Sequence, residues 1–596
     1  MKYKLIKEPT YQSALEQVLT NRGITKDKLK YYTELNEECI SNPKLFGEDK
    51  LNKAASVLIK HIKNDDKAVI VIDPDVDGNT SAALLLNYLY LFFPYWVANQ
   101  IDFIFHTGKQ HGLNDLYKEI IEKRYKLVIC PDSGSNDGEE CRELAIHGID
   151  VIILDHHDYD SKNTYAIIIN NQTGYSDYPN KFLSGVGVVW QFCRYLDSLM
   201  KSNKANDFLD LVAVGLTGDM MSFLEPETFN LVQKGLQDIH NPFLYYLAEK
   251  NRFKLGEDIT PIGAAFYIVP LLNAVQRSGT MEEKELVFKS MLSYYAFEQV
   301  PSTKRGHRLG EEEMLVTQAV RTATNVKNRQ TKVQDASLDI LEQQIIDKNL
   351  LNHKVLLLLL EEDNIPAEVR GLIANKFMAK YQRPCCLLTK GEEYSGQTMD
   401  GYRYETYYAG SARGCTLAGV EDFKQVCLDT GVVDYAVGHP NAFGLKIWGI
   451  DIPAFIEKTD EMLKDMSNEP IYYVDYIFEG QNVDYDIISD LSEMSKYWGT
   501  DVDEALVAIK GLKVSADKVD VYRKTSNTIK ITLNNGTPLM LFKATDEECE
   551  LFKDNNKGYV EVDIVAKANR NEFNGMVTAQ LFIEDYEVTD SSKFYF

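Results

Sequence analysis

The stretch Ala68–Leu86, AVIVIDPDVDGNTSAALLL, constrains the fold more than any other part of the chain. It opens with a β-branched apolar run that is typical of a buried strand. Three carboxylates follow at alternate positions, Asp73, Asp75 and Asp77, and the polar residues after them favour capping a helix that begins at Ala82. Open α/β sheets bind ligands at this edge, and three like charges there favour a divalent cation over a solvated acidic turn.

Three later segments carry similar candidate ligands behind apolar runs. KLVICPD ends at Asp132, VIILDHH carries Asp155, His156 and His157, and LVAVGLTGD ends at Asp219. A single Asp in this position is more often a cap or turn residue, but parallel strands bring all four predicted strand ends to one edge of a sheet. Carboxylates and imidazoles without a nearby thiolate favour Mn²⁺ or Mg²⁺, and shared carboxylates predict two ions about 4 Å apart.

Composition limits the class of protein. The 596 residues suffice for three or four domains. The net charge of −25 argues against a surface that binds nucleic acid everywhere, although it permits a narrow basic groove. The nine scattered cysteines contain no C-x-x-C motif and fit the reducing cytoplasm. No apolar run is long enough to span a membrane, and the N-terminus lacks a signal-peptide core, so we expect a cytoplasmic protein without a membrane partner.

The pattern along the chain predicts five regions. They are a helical segment at 1–65, a parallel-sheet domain at 66–282, a linker helix region at 283–350, a second α/β domain at 351–465, and a helical segment followed by a β-rich domain at 466–596. Within the last region we expect helix at 489–510 and short strands from Val514 onward. The Asn-Gly pairs at 535–536 and 574–575 predict hairpin turns.

The motifs DPDVDG, PDSGSND, DHH and GDMM, in this order, resemble the four motifs of the DHH phosphoesterase superfamily. NRGIT at 21–25, PLLNAVQRSG at 270–279, GSARG at 410–414 and VGHPNAFG at 437–444 are similar to segments of the RecJ single-strand-specific exonucleases, and the C-terminal strands are similar to their oligonucleotide-binding (OB) barrel. The chain departs from the family pattern at Leu271, Leu272, Gly414 and Val437. Its compact length would suit a phage or mobile-element version.

This resemblance implies both an architecture and a reaction. The fold class is α/β: a DHH parallel-sheet domain joined by a long helix to a smaller α/β DHH-associated domain, with a C-terminal all-β OB-like barrel. The implied activity is metal-dependent hydrolysis of single-stranded DNA from the 5′ end, releasing mononucleotides in repair or recombination. The implied partners are single-stranded DNA and, beyond it, a single-stranded-DNA-binding protein or a helicase.

The resemblance also assigns roles to residues. The implied ligands of two Mn²⁺ or Mg²⁺ ions are Asp73, Asp75, Asp77, Asp132, His156 and Asp219. Asp132 would bridge the ions, and Asp73 would either bind a metal or support the ligands from behind. His157 would contact the scissile phosphate, and Asp155 would orient the histidines. The implied phosphate-binding residues are Arg277, Ser411, Arg413, Gly438 and His439.

Two further groups of residues leave alternatives open. A basic run in the linker region is either a solvated helix face or a track for the DNA backbone: Lys304, Arg305, His307, Arg308, Arg321, Lys327, Arg329 and Lys332. Three aromatic residues near the C-terminus stack on bases or pack in the core: Tyr559, Phe573 and Phe582.

Two other functions compete with the exonuclease. One is a DHH phosphodiesterase for short oligonucleotides or cyclic dinucleotides, which the predicted OB domain disfavours. The other is a non-catalytic replication or repair scaffold, which the intact set of candidate ligands disfavours.

Overall fold

The computed structural model of the protein describes residues 1–592 except 12, 108–109, 161, 173, 175, 399–400, 467–469, 524, 555–558 and 574–575. The chain forms two compact units. The parallel-sheet unit comprises Thr10–Lys327 and Asp490–Glu504, and the mixed-sheet unit comprises Met1–Pro9, Asn328–Ser489 and Ala505–Phe596. The backbone therefore passes from one unit to the other four times.

Strands and helices alternate through the first half of the chain, and longer strands dominate the last third. The strands are β1 (Lys2–Leu5), β2 (Ala68–Ile72), β3 (Ile101–Phe105), β4 (Leu127–Pro131), β5 (Asp150–Asp155), β6 (Ile167–Asn170), β7 (Gln299–Pro301), β8 (Glu312–Met314), β9 (Leu356–Leu360), β10 (Cys385–Thr398), β11 (Gly401–Arg413), β12 (Val433–His439), β13 (Ala442–Trp448), β14 (Ile471–Val474), β15 (Tyr476–Glu479), β16 (Leu506–Ser515), β17 (Val519–Arg523), β18 (Asn527–Thr532), β19 (Pro538–Ala544), β20 (Tyr559–Phe573) and β21 (Met576–Ser592). The helices are α1 (Ala14–Asn21), α2 (Lys30–Thr33), α3 (Glu48–Lys63), α4 (Val76–Phe92), α5 (Pro94–Gln100), α6 (Tyr117–Glu122), α7 (Gly138–Ile146), α8 (Gly185–Met200), α9 (Leu209–Gly218), α10 (Pro226–Gln237), α11 (Pro242–Lys250), α12 (Arg252–Leu255), α13 (Pro261–Tyr267), α14 (Val269–Ser278), α15 (Met281–Met291), α16 (Leu315–Asp347), α17 (Ala367–Tyr381), α18 (Phe423–Asp429), α19 (Ile452–Met462), α20 (Tyr485–Ser492) and α21 (Asp546–Cys549). Among the described residues, no helix is long and apolar enough to cross a membrane.

A five-stranded parallel sheet forms the centre of the parallel-sheet unit. Its order is β3-β2-β4-β5-β6, with β4 in the middle. Every residue of β2 and β4 is buried, which explains why these strands are continuous apolar runs. On one face, Val69, Val128 and Val151 pack with residues of α6 and α7 in a single core. The three strands predicted from the sequence are confirmed, and their carboxyl ends lie side by side.

The fourth predicted strand end is wrong, because LVAVGLTG forms the helix α9. Nearly all of this helix is buried, so its sequence is apolar on every side and has no polar stripe to reveal the helical period. A short apolar run of this kind fits a buried strand and a buried helix equally well. Asp219 therefore reaches the edge of the sheet from the C-terminus of a helix.

The helix after β2 also begins earlier than the sequence indicated. It starts at Val76 rather than Ala82, and the carboxylate of Asp75 caps it by accepting a hydrogen bond from the amide of Gly78 at 2.9 Å. A side chain at position 78 would place its Cβ 2.5 Å from the Cβ of Asp73. Glycine at this position therefore lets the first turn of α4 close directly against the acidic strand end.

The segment before α16 also differs from the prediction, because a hairpin interrupts the predicted run of helix. Strands β7 and β8 pair in antiparallel fashion, and Lys304, Arg305, His307 and Arg308 occupy the exposed loop between them. Arg321 is in α16 and pairs with Glu313. The basic residues therefore do not share one helix face.

Two large sheets lie in the mixed-sheet unit, together with the two-stranded pairing of β1 with β14. The first has the order β12-β13-β11-β10-β9, and separate apolar cores include residues of α17 and of α18 and α19. The second has seven strands in the order β15-β16-β20-β21-β19-β18-β17, and β20 and β21 form its longest hairpin. The turn predicted at 535–536 connects β18 to β19, whereas the one predicted at 574–575 lies outside the described residues.

Both ends of the predicted helical regions contain strands instead. Lys2–Leu5 pairs in parallel with β14, and residues 506–510 begin the strand β16, so the helical predictions for these residues are wrong, whereas the strand predicted from Val514 onward is confirmed where β16 ends. The short segment Asp490–Glu504 belongs to the parallel-sheet unit, where the carbonyl of Thr500 accepts a hydrogen bond from the Phe223 amide at 2.9 Å.

Candidate metal centre

Seven acidic and histidine side chains meet at one edge of the parallel sheet. They form three overlapping groups whose ligand atoms lie within 4.8 Å of one another: Asp132, His156 and His157; Asp77, His156 and Asp219; and Asp73, Asp75 and Asp132. Because Asp132 and His156 each belong to two groups, the seven residues form one continuous cluster, here called the metal edge. The metal edge contains all six residues predicted as ligands, and their individual roles stay predictions.

Several atoms of the metal edge that could bind a metal are buried and have no hydrogen-bond partner among the described residues. Oδ1 of Asp73, Oδ1 of Asp132, Oδ2 of Asp219 and Nε2 of His156 have no hydrogen bond to the described residues. Nε2 of His156 lies 3.2 Å from Oδ1 of Asp132 and 3.4 Å from Oδ2 of Asp219. Buried polar atoms are costly when they are left unpaired, and oxygen and imidazole donors suit Mn²⁺ and Mg²⁺. The donor set therefore fits divalent cations.

The pKa shifts of these residues also favour a bound cation. Burial, followed by repulsion from neighbouring carboxylates, raises the pKa of Asp75 to about 6 and that of Asp219 to about 8. The same causes raise the pKa of Asp132 well above its usual range, and burial lowers the pKa of His156. Without a cation, the site stabilises uncharged forms of these groups; a bound cation favours the ionised carboxylates.

Asp132 adopts an unusual backbone conformation at the end of the central strand. Its φ is +73°, in the left-handed region, and its amide donates a hydrogen bond to the carbonyl of Leu154 at 2.7 Å. A Cβ on Gly185, the first residue of α8, would lie 2.5 Å from the Cβ of Asp132. Close packing of α8 against this strand end therefore requires glycine at position 185.

The N-terminus of α8 holds Asp77, and the sequence interpretation missed this contact. Asp77 accepts hydrogen bonds from Oγ of Ser184 at 2.8 Å and from the amides of Gly185 and Val186 at 2.6 and 3.2 Å. Backbone amides at a helix start favour a carboxylate, and Oδ2 of Asp77, which accepts only the hydrogen bond from Gly185, keeps a lone pair for a cation. The pair Ser184-Gly185 before an apolar run was the available signal.

Asp155 and His157 form a carboxylate–histidine pair beside the ligands. The buried carboxylate of Asp155 lies 2.8 Å from Nδ1 of His157 and also accepts hydrogen bonds from the amides of Ser135 and His156. The imidazole of His157 remains 57% exposed. Burial, the largest single influence, opposes the charged imidazole, but the hydrogen bond with Asp155 and the attraction of Asp155 and neighbouring carboxylates together raise the pKa of His157 to about 9. The pair thus presents an oriented ring to any molecule at the metal edge.

The sequence interpretation also missed His111, which follows β3. Its Nδ1 lies 2.7 Å from Oδ2 of Asp73, and this hydrogen bond raises the pKa of His111. The available signal was the position of the segment, since β3 is the strand next to β2 and its carboxyl end faces the same edge.

Four predicted phosphate-binding residues lie in the mixed-sheet unit. Ala442 of β13 pairs with Arg413 on one side and with His439 on the other, and Gly444 pairs with Ser411. Residues opposite each other in a sheet share a face, and so do residues two apart on one strand, so Ser411 and Arg413 of β11 lie on the same face as His439 of β12, with Ala442 of β13 between the two strands. We call these three residues the cross-strand row. Gly438 precedes His439 with a φ of +133°, a conformation that favours glycine.

Arg277, the fifth predicted phosphate-binding residue, lies in the parallel-sheet unit. It is exposed near the C-terminus of α14. The preceding residue, Gln276, is buried and donates a hydrogen bond to Oδ1 of Asn79 in the first turns of α4 at 3.0 Å. Arg277 is therefore attached to a helix that contacts the start of α4, where the metal edge begins.

Known proteins are similar to two domains and to the whole length of this chain. The family model for the DHH family, N-terminal domain, matches residues 67–216, and that for the RecJ OB domain matches residues 474–585. A Bacillus subtilis (strain 168) protein named putative SPbeta prophage-derived single-strand DNA-specific exonuclease YorK is 31% identical, across 100% of this chain and 99% of its own length. The chain belongs to the RecJ-like family of DHH hydrolases.

Solved structures of a RecJ protein confirm the fold of this RecJ-like chain. Crystal structures of Thermus thermophilus RecJ in complex with Mn²⁺ and with Mg²⁺ match with TM-scores of 0.69 and 0.63 at 18% and 16% identity. They cover 99% and 100% of this chain, which in turn covers 80% and 79% of theirs. The predicted family, the α/β fold class and the C-terminal OB domain are confirmed.

Proposed function

We propose that this RecJ-like protein is a metal-dependent exonuclease that degrades single-stranded DNA from the 5′ end and releases mononucleotides. The observation that supports the proposal is the metal edge, where buried metal-binding atoms of Asp73, Asp132, His156 and Asp219 have no hydrogen-bond partner among the described residues. A relative that matches the chain over its full length is named a single-strand DNA-specific exonuclease. The polarity and a role in repair or recombination rest on the family resemblance.

The chain supplies distinct groups for hydrolysis. Two divalent cations, when bound, would activate a water molecule and neutralise charge on the phosphate. Asp73, Asp75, Asp77, Asp132, His156 and Asp219 would hold them, with Asp132 shared between the two. His157, oriented by Asp155, would donate a hydrogen bond from its exposed nitrogen to the scissile phosphate and so stabilise the developing charge.

Other parts of the chain suit binding of the strand. Arg277, Ser411, Arg413 and His439 would contact phosphates through their cationic or hydrogen-bonding groups, and Gly438 would let a phosphate approach the backbone. The OB domain would bind the strand by stacking and phosphate contacts. A single-stranded-DNA-binding protein or a helicase would deliver such strands.

The nine cysteines, all of them free, fit a protein that works in the reducing cytoplasm.

End-labelled substrates test this function directly. Purified protein is incubated with Mn²⁺ and a single strand labelled at the 5′ or the 3′ end, with chelator and Asp132→Asn as controls. We expect a labelled mononucleotide at the earliest times only from the 5′-labelled strand, and no product with chelator or the variant. Early mononucleotide from the 3′ end would reverse the polarity. Cleavage of cyclic dinucleotides or very short oligonucleotides alone would support the phosphodiesterase alternative, and DNA binding without cleavage would support the scaffold.

A further inference from the structure

We propose that His111 is a second phosphate-binding imidazole of the metal edge and that Asp73 orients it, as Asp155 orients His157. This inference rests on the proposed function. The two pairs share one geometry: Nδ1 lies 2.7 Å from the carboxylate in the first pair and 2.8 Å in the second. Both carboxylates are buried, and the imidazoles are 61% and 57% exposed.

Side-chain contacts with Asp137 and Asp115 hold the segment around His111. The Leu113 amide donates a hydrogen bond to Oδ2 of Asp137 at 2.7 Å, and the buried ring of His106 contacts Asp115 with its Nδ1 2.9 Å from Oδ1. Gly112 has a φ of +69°, and a Cβ on it would lie 2.0 Å from Oδ2 of Asp137. His111 is therefore held in place beside Asp73.

The contact with Asp73 also decides what the rest of the ring can do. Because Nδ1 faces the carboxylate, Nε2 is the nitrogen left to contact a molecule at the metal edge. The ring can therefore contact one anion through each nitrogen, the Asp73 carboxylate at Nδ1 and a phosphate at Nε2. Asp73 contacts His111 through Oδ2, while its Oδ1 is buried without a hydrogen-bond partner among the described residues.

The kinetic test compares three variants. We expect His111→Ala to lower kcat/KM on a short oligothymidylate about 10- to 100-fold, as for loss of a charge-assisted hydrogen bond. His111→Gln should recover part of this loss, because its amide can donate to a phosphate. The control is His240→Ala, since His240 is also 61% exposed and lies 3.0 Å from a carboxylate, that of Asp238. Equal kcat/KM in all three variants and the wild type would overturn the inference.

A second measurement does not depend on cleavage. The exposed imidazoles are modified with diethylpyrocarbonate in chelator, and peptide mass spectrometry follows His111 and His240 with and without oligothymidylate. We expect the oligonucleotide to slow modification of His111 at least several-fold and to leave His240 unchanged. Protection of His111 in a protein that cleaves nothing would refute the proposed function but keep this inference. Normal cleavage without protection of His111 would refute this inference but keep the proposed function.

We also propose that the β7–β8 hairpin is a nucleic-acid contact remote from the reacting bond. Its tip exposes Lys304, Arg305, His307 and Arg308, and the side chain of Leu309 is fully exposed. Arg305 and Arg308 form no ion pair with the described residues, although the chain carries a net charge of −25. Unpaired guanidinium groups on so acidic a protein fit the phosphate backbone.

The hairpin is firmly attached to α16. The buried carboxylate of Glu313 accepts hydrogen bonds from Arg321 at 2.8 Å, from the Thr303 amide at 3.0 Å and from Gln318 at 3.2 Å. Tyr294, just before the hairpin, stacks on Tyr90, which is about 20 Å along α4 from its start at the metal edge. The hairpin would therefore meet DNA several nucleotides away from the site of cleavage.

Salt dependence tests the hairpin. The double variant Arg305→Ala, Arg308→Ala should make the plot of log Kd against log salt less steep by about 1.4 for a long single strand, with unchanged kcat on a short one. The control double variant is Arg142→Ala, Arg252→Ala, which removes two exposed arginines that already pair with Glu143 and Glu249. An unchanged slope, or an equal change in the control, would overturn the proposal.

Discussion

The metal edge and the cross-strand row are both predicted to bind phosphate groups, but they are built in opposite ways. The metal edge buries its charges, holds them by backbone amides and helix starts, and leaves oxygen atoms unpaired. The cross-strand row lies on a sheet surface where Ser411 and Arg413 are partly buried and His439 is exposed. Buried, prearranged groups suit stabilisation of a transition state, whereas exposed ones suit binding of the ground state.

This difference predicts which kinetic constant changes when each site is mutated. Removing a proposed ligand from the metal edge should lower kcat, because the proposed function has its groups act on the reacting atoms. Removing a residue of the cross-strand row should raise KM with little change in kcat, because the proposed function has that site bind substrate and transition state alike.

The largest effect should follow from Asp132→Asn. We expect kcat to fall by about 10³-fold or more, since the shared ligand belongs to two of the three groups at the metal edge. The metal-free variant should melt at the same temperature as the wild type or higher, because one of several repelling carboxylates is gone. Turnover within about ten-fold of wild type would show that the site is assigned wrongly.

Arg413→Ala should have the next largest effect. We expect KM for single-stranded DNA to rise about 10- to 30-fold with kcat within about two-fold, and Arg413→Lys to recover part of the affinity. Steady-state kinetics measure both, and Lys464→Ala, an exposed residue of the same unit that pairs with Glu461, is the control. A loss confined to kcat would contradict the contrast between the two sites.

The stability of the metal-free protein should depend on pH through the metal edge. Asp75 and Asp219 have a pKa of about 6 and about 8 in the folded protein against 3.8 as the ordinary value, so the folded state binds protons more tightly than the unfolded chain. The free energy of unfolding therefore falls as the pH rises from about 4 to about 8.

Asp219→Asn isolates this contribution. Because asparagine does not ionise, we expect the variant to gain about 3–4 kcal/mol relative to wild type between about pH 5 and about pH 8 in chelator. Chemical denaturation at the two pH values measures the difference, and Mn²⁺ should stabilise the wild type more than the variant. Parallel pH profiles would mean that Asp219 is not destabilised by its neighbours.

The smallest effect should come from Phe542→Ala in the OB domain. Phe542 is 50% exposed and packs edge-on against Phe582 at 5.0 Å, so it can stack on a base. We expect about five-fold weaker binding of long single strands and unchanged kinetics on very short ones. Fluorescence anisotropy measures the affinity, and Phe253→Ala, a fully exposed phenylalanine of the parallel-sheet unit, is the control. Equal losses on long and short strands would contradict a separate binding role.

The aromatic residues named from the sequence illustrate the limits of pattern alone. Phe582 contacts Phe542 in the structure, Tyr559 is partly buried at the start of β20, and the side chain of Phe573 lies outside the described residues. Phe542 was not named at all, because alternation along a strand indicates which residues share a face but not which face remains open.

Three strand ends of the metal edge could be predicted because they depend on local chemistry. A β-branched run followed by Asp73, Asp132 or Asp155 describes a buried parallel strand and its polar end wherever it occurs. Asp219 was placed correctly near them for the wrong reason, since a helix and not a strand carries it. The apolar run before it had no period to distinguish the two.

The sequence by itself determined which residues can hold cations, the three parallel strands that carry most of them, and the family to which the chain belongs. Only the tertiary structure decided that α8 holds Asp77, that Gly185 packs on Asp132, and that His111 turns back onto Asp73. These contacts join residues 38 to 108 positions apart. They arise from the packing of whole helices and loops against one sheet edge, which no local pattern of side chains encodes.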